Sequence, residues 1–145
     1  MVDQKASAIW EGELFSGKGT VSLDSSHAAG PLDVSWASRA ESPGAMTSPE
    51  ELIAAAHSAC YSMALSNTLN KAGTPPTRLD TSAVVSFEKG DAGFGITRVA
   101  LTVRGDVPGA DDAAFRDAAE QAKTGCPVSK ALAGNVDITV DAALA

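Results

Sequence analysis

Two cysteines are all this chain carries, and that scarcity excludes the disulfide framework that staples small secreted domains. In a reducing compartment, a lone pair of cysteines points instead to redox or metal chemistry. Positive charge is also in short supply. The chain has 11 Lys and Arg against 18 Asp and Glu, a net charge of −7. Without a basic patch to meet phosphate, nucleic acid and anionic membrane are disfavoured as partners. No apolar run approaches the length of a bilayer-spanning helix. The opening MVDQKASAIW lacks the basic n-region and apolar h-region of a signal peptide, so a cytoplasmic location is expected. There is no internal repeat, low-complexity tract or interdomain linker. Residues 1–145 are therefore expected to form a single domain.

What is present is an ordinary globular composition, 44% hydrophobic and 20% charged, with enough length for a core. Its organising stretch is SPEELIAAAHSACYSMALSNTLN, running from Ser48 to Asn70. Ser48 suits an N-cap, Pro49 the first helical position, and Glu51 the partner that closes a capping box. Gly73 and the following Thr74-Pro75-Pro76 end the pattern, giving a helix over about 49–72. Leu52, Ala56, Ala59 and Met63 share one face, and Ile53, Cys60 and Ala64 another. A helix apolar on most sides is expected to be central and buried.

Around it, Lys5–Trp10 and Gly19–Asp24 read as a hairpin, with Asp33–Trp36 as a third strand. Ala37–Thr47 reads as irregular, with a turn at Pro43-Gly44. Asp80–Lys89 and Gly95–Asp106 alternate polar and β-branched residues across a loop-like join, so they form an antiparallel pair. Asp111 or Asp112 caps a helix whose inner side is Phe115, Ala118, Ala119 and Ala122. Pro127–Ala133 is a further short helix, and Val136–Val140 a last strand. Strands and helices come in blocks rather than in alternation, which predicts an α+β fold with antiparallel sheet.

Cys60 and Cys126 are the candidate reactive groups. Cys60 sits mid-helix, where no dipole end helps it ionise, so it needs a cation. His57, one turn earlier, is nearest in sequence; Arg39 and Lys18 lie on loops. Cys126 precedes Pro127 at a helix start, a setting that favours thiolate. Glu50 and Cys60 are ten residues apart, about 15 Å along a straight helix at about 1.5 Å per residue. A Glu50 that serves Cys60 must therefore belong to another subunit, and so must any arginine it orients. His57-x-x-Cys60 with Cys126 could also supply three zinc ligands, a spacing common by chance. A third reading is a non-catalytic module that holds an apolar small molecule, with both thiols inert.

SPEELIAAAHSACYSMALS, DAGFGIT and KTGCPVSKAL, with the opening WEG…GKGTVS, resemble the osmotically inducible protein C (OsmC) family, sister to the organic hydroperoxide resistance (Ohr) proteins. The resemblance runs from about Trp10 to the C-terminus. It implies an intertwined α+β homodimer with antiparallel sheets around the long helix, and two active sites at the subunit interface. The implied activity is thiol-dependent reduction of organic hydroperoxides, and more weakly of hydrogen peroxide, in stress defence. The implied partners are the hydroperoxide, an external dithiol reductant and a second copy of the chain; no cofactor is implied. Cys60 matches the family's peroxidatic cysteine and Cys126 its resolving cysteine. Arg39 matches the arginine that stabilises the thiolate and the leaving group. Glu50 matches the glutamate that orients this arginine, here expected across the dimer. The Ohr branch carries its arginine in the N-terminal glycine-rich loop, which here is SGKGT with Lys18. That departure favours the OsmC branch and leaves Lys18 and His57 as tuning groups.

Overall fold

The computed structural model describes residues 1–42 and 44–145. The turn expected at Pro43-Gly44 falls partly on Pro43, outside the described residues. The chain divides into two compact units, Met1–Leu52 and Ile53–Ala145.

The first unit is a three-stranded antiparallel sheet in the order β1-β2-β3, with β1 at Ser7–Glu11, β2 at Lys18–Ser22 and β3 at Leu32–Ser35. Trp10 pairs with Gly19. A Cβ at Gly19 would meet the Ile9 carbonyl at 2.6 Å and the Trp10 ring at 2.8 Å, so the indole lies where a side chain would stand. The segment expected to be irregular begins instead with a short helix, α1, at Trp36–Ala40. Ser35 caps it by accepting from the Ser38 N–H, and the Ser38 hydroxyl reaches back in turn. Serines at the two ends of a first turn satisfy orphan donors reciprocally, which is how so short a helix holds.

The long helix α2 spans Pro49–Lys71, as its caps predict. Ser48 Oγ accepts from the Glu51 N–H at 3.1 Å. The reciprocal half of the capping box is absent among the described residues, because the Glu51 carboxylate accepts from Thr47 Oγ1 instead. The buried stripe of α2 is His57, Tyr61, Leu65 and Leu69, spaced at four residues. The expected burial on most sides does not hold within one chain. Ala55, Ala56 and Ala59 are exposed, and Met63 is 68% exposed.

In the second unit, β4 (Arg78–Gly90) and β5 (Gly93–Asp106) form the expected antiparallel hairpin, closed by Gly90 opposite Gly93, whose φ is 107°. Asp91 and Ala92 make the turn, and the left-handed φ falls on Gly93 just after them, which has no Cβ to clash. Next come α3 (Asp112–Gly125), capped by Asp111, then α4 (Pro127–Leu132) and β6 (Asp137–Leu144). Here the antiparallel expectation needs correcting, because β6 runs parallel to β5 and pairs Arg98–Gly105 with Asp137–Leu144. Two helices between adjacent strands return the chain to its starting end, the crossover a parallel pair requires. The core is one cluster of Tyr61, Leu65 and Leu69 with Val99, Leu101, Val103, Phe115, Ala118, Ala119, Ala122 and Cys126. Phe115 and the three alanines are the inner face read from the sequence.

Candidate active site

Cys60 and Cys126, distant in the chain, meet in the second unit. Their Sγ atoms are 3.3 Å apart and both thiols are free. A disulfide closes at about 2.05 Å, so the two sulfurs lie little more than an ångström beyond bonding distance. Helix α2 presents Cys60 beside the buried stripe. The N-cap position of α4 presents Cys126, which is fully buried.

The two sulfurs stand in different fields. Burial pushes the Cys60 thiol above its ordinary value, against an opposing hydrogen bond from the Val128 backbone, and the neighbouring Cys126 sulfur adds to the rise. Burial also opposes ionisation of Cys126. There, however, the Ser129 backbone, the Cys60 thiol, the Ser129 side chain and the Val128 backbone together outweigh it, and its value is lowered. Of this pair, at 3.3 Å, Cys126 is the more readily ionised. The helix start therefore acidifies Cys126 as its position implied, whereas at Cys60 the Val128 backbone hydrogen bond does not offset burial.

His57 is not the missing cation. It is fully buried, and desolvation lowers its value, which keeps the ring neutral. Its Nε2 lies 2.8 Å from Ser129 Oγ, and Nδ1 is buried without a hydrogen-bond partner. Among the described residues, no group of three or more His, Cys, Asp or Glu side chains converges to hold a metal ion, so His57, Cys60 and Cys126 do not form the three-ligand set.

Arg39 and Glu50 meet in the first unit, within one chain and not across an interface as expected. Arg39 Nε and Nη2 donate to Glu50 Oε1 at 3.0 and 2.8 Å. Glu50 is 6% exposed, and its other oxygen, Oε2, is buried without a partner. Arg39 also borders an almost wholly apolar cavity of about 320 Å³ walled by Trp10, Leu14, Val34 and Trp36. Lys18 is exposed at the start of β2, opposite Ser35 and Glu11.

Cys60 opens onto a cavity of about 530 Å³ bounded by Met63, Ala64, Ala122, Gly125 and Pro127, with Lys71 at its edge. Two neighbours went unread in the sequence. Tyr61, fully buried, donates from its hydroxyl to the Ala119 carbonyl at 3.0 Å and ties α2 to α3. Ser129, 4% exposed, lies 2.8 Å from His57 Nε2 and ties α4 to α2. The available signal for Ser129 was its position three residues after a cysteine that starts a helix.

Comparison with known proteins gives a consistent result. The family described as OsmC-like protein matches residues 42–141. The peroxiredoxin OsmC of Escherichia coli (strain K12) is 46% identical over 140 residues, covering 97% of this chain and 95% of that protein. The organic hydroperoxide resistance protein OhrA of Bacillus subtilis (strain 168) is 32% identical over 136 residues, covering 92% and 88%. Among solved structures, the organic hydroperoxide resistance protein OhrB of Bacillus subtilis superposes with a TM-score of 0.75 at 26% identity, covering 95% of this chain and 97% of that one.

Proposed function

The chain belongs to the OsmC-like protein family, and from that membership we propose that it is a thiol-dependent peroxidase reducing organic hydroperoxides through Cys60 and Cys126. One observation carries the reading: two free sulfurs 3.3 Å apart, one on α2 and one at the start of α4, with an open cavity beside Cys60.

The chemistry runs in three steps. The Cys60 thiolate attacks the distal oxygen of the hydroperoxide. An S–O bond forms, the O–O bond breaks, and the departing alkoxide takes a proton to leave as alcohol. Cys126 then attacks the Cys60 sulfenic acid; an S–S bond forms and the oxygen leaves as water. An external dithiol reduces the disulfide by exchange and restores both thiols. The cavity beside Cys60 is of mixed character, Met63, Ala64, Ala122 and Pro127 offering an apolar wall to an alkyl group and Asn67, Thr68 and Lys71 a polar one.

Arg39 holds Cys60 as thiolate and meets the charge that develops on the leaving oxygen, while Glu50 fixes the guanidinium plane. Because burial alone raises Cys60, the cation has to be brought to it. The Arg39–Glu50 pair, assembled within one chain, is supplied to the Cys60 of a second copy. Two features favour such a homodimer. The Ala56–Ala59–Met63 face of α2 is open in the single chain, and small residues let another backbone come close. Among the described residues of the first unit no apolar side chain is fully buried, and Ile9, Leu14 and Phe15 stand 66%, 49% and 70% exposed. A three-stranded sheet without an apolar cover is unstable on its own. The two units thus act as one functional domain, residues 1–145, in an intertwined pair. No helix is long and apolar enough to cross a membrane, and a cytoplasmic setting would keep the thiols reduced. His57, buried and held neutral, does not supply the cation for Cys60.

Stopped-flow reduction of an alkyl hydroperoxide tests the reading. Cys60→Ser should abolish the reaction, whereas Cys126→Ser should complete one turnover and then stall with Cys60 oxidised. Full activity in Cys60→Ser overturns it. The non-catalytic binding module has one observation in its favour, the raised Cys60 of the single chain. Titration of Cys60 in the assembled protein separates the two: a value below that of free cysteine, about 8.5, supports catalysis, and one at or above it supports binding.

A further inference from the structure

Apart from the Tyr61 hydroxyl, the buried polar side chains of the second unit, among the described residues, are His57 and Ser129. They meet each other, Nε2 lying 2.8 Å from Oγ across 72 residues of sequence, and the three steps above use neither. Their place in the fold sets them apart. His57 stands one turn before Cys60 on α2, and Ser129 three residues after Cys126, in α4. The pair is thus about one turn from each of two sulfurs that are 3.3 Å apart. Among the described residues it is the one hydrogen bond between a side chain of α2 and a side chain of α4.

Stability does not account for the pair. His57 Nδ1 is buried without a partner, so a whole imidazole leaves water and only one of its nitrogens is satisfied. An apolar pair of the same volume would stabilise the core at least as well. What a hydrogen bond adds is direction, because it fixes how far along α2 the short helix sits. Helix α4 has six residues and no side-chain cap, too few to hold a position by itself. Val128 and Leu132 pack against the core, but apolar packing is non-directional. The Cys126 N–H donates to the Ala122 carbonyl at 2.8 Å, which ties the start of α4 to α3 and sets nothing along α2.

We propose that the His57–Ser129 hydrogen bond is a brace that holds α4 on α2 at the register where the two sulfurs stand within closing reach. Both are positioning residues for the attack of Cys126 on an oxidised Cys60; neither meets the hydroperoxide. A disulfide closes at about 2.05 Å, so little more than an ångström separates the sulfurs from bonding. Over so short a gap, a slip of one ångström costs up to about a hundredfold in rate. The brace sets α4 in place before Cys60 is oxidised, and closure then has no helix left to order. In that step the Cys126 sulfur attacks the sulfenic sulfur and the S–S bond forms. The S–O bond breaks, and the hydroxyl leaves as water with the thiol proton. The kinetic half of the proposal rests on the peroxidase reading; the equilibrium half does not.

The test uses the full-length chain with both cysteines. After one equivalent of cumene hydroperoxide, acid-quenched mass spectrometry follows the sulfenic acid and the disulfide separately. His57→Leu is the primary variant, because the one side-chain hydrogen bond of His57 is to Ser129. It should leave formation of the sulfenic acid unchanged and slow closure roughly tenfold, the rate equivalent of one well-made hydrogen bond. His57→Gln, whose amide reaches as far as Nε2, should restore closure. Ser129→Ala should slow it and Ser129→Thr should not. The double variant His57→Leu with Ser129→Ala should be no slower than Ser129→Ala alone, since both remove the same bond. Equal closure rates for Leu and Gln, or a double variant slowed by the product of the two single effects, overturn the brace. The histidine variants decide if the serine variants do not fold. Equilibration of the Cys60–Cys126 disulfide with glutathione needs no hydroperoxide. Its equilibrium constant should fall roughly tenfold in His57→Leu, whereas a contact that stabilised the reduced and oxidised forms alike would not move it. An unmoved constant overturns the brace. A chain without peroxidase activity would sink the reading above and leave the glutathione result standing.

Discussion

Cys60 and Cys126 are chemically alike, and position alone makes them different. A mid-helix thiol in apolar surroundings resists ionisation, whereas one at a helix start meets free amides. That contrast could be read from Pro127 and from the capping pattern of α2. What could not be read is that desolvation removes His57 from the list of cations. The same desolvation makes a prediction about acid stability. His57 is lowered from 6.5 in the folded chain, so between that depressed value and 6.5 the unfolded chain holds the extra proton. Stability therefore rises with pH through this window, is complete above about 6.5, and is lost as the pH falls. Urea unfolding at a series of pH values should show this loss, and His57→Gln, which cannot titrate, should flatten it.

At the scale of elements, α3 and the β4–β5 hairpin were legible because their signals are local: a capping aspartate, a four-residue apolar stripe, glycines flanking a two-residue turn. The direction of β6 was not, since VDITV reads the same whether its neighbour runs with it or against it. Only the length of α3 and α4, which carry the chain back along the sheet, decides that. Contact between α3 and the sheet is close where β5 carries Gly105. A Cβ there would meet the Phe115 ring at 2.6 and 2.7 Å, and Phe115 is fully buried. Gly105→Ala should destabilise the protein by about 1–3 kcal/mol through overpacking, measured as a lowered urea midpoint. Gly93→Ala should also destabilise, but by strain at a positive φ with no steric neighbour within 4 Å.

For the whole molecule, the arithmetic of one helix sets the constraint. Ten residues separate Glu50 from Cys60, so on the proposed reading the ion pair would serve the thiol of a different copy. Mixing chains tests this directly. Neither Cys60→Ser nor Arg39→Gln should reduce hydroperoxide alone. Once subunits exchange at random, half the dimers are mixed, and each holds one site with both native residues. About a quarter of wild-type activity should then appear. No recovery after demonstrated exchange would mean that the cation acts within its own chain.

The resemblance to the OsmC family supplied Arg39 and Glu50 as a pair; sequence by itself determined the α+β class, the central helix with its ends, the inner face of α3 and the two candidate cysteines. These follow from short-range rules of capping, periodicity and residue chemistry, which act over a few residues and leave a readable pattern. Tertiary structure alone decided that the two sulfurs touch, that Arg39 and Glu50 pair within one chain, that β6 is parallel, and that His57 meets Ser129. Each of these is a contact between segments far apart in the chain, and its energy depends on distance and burial, which no local pattern of residues encodes.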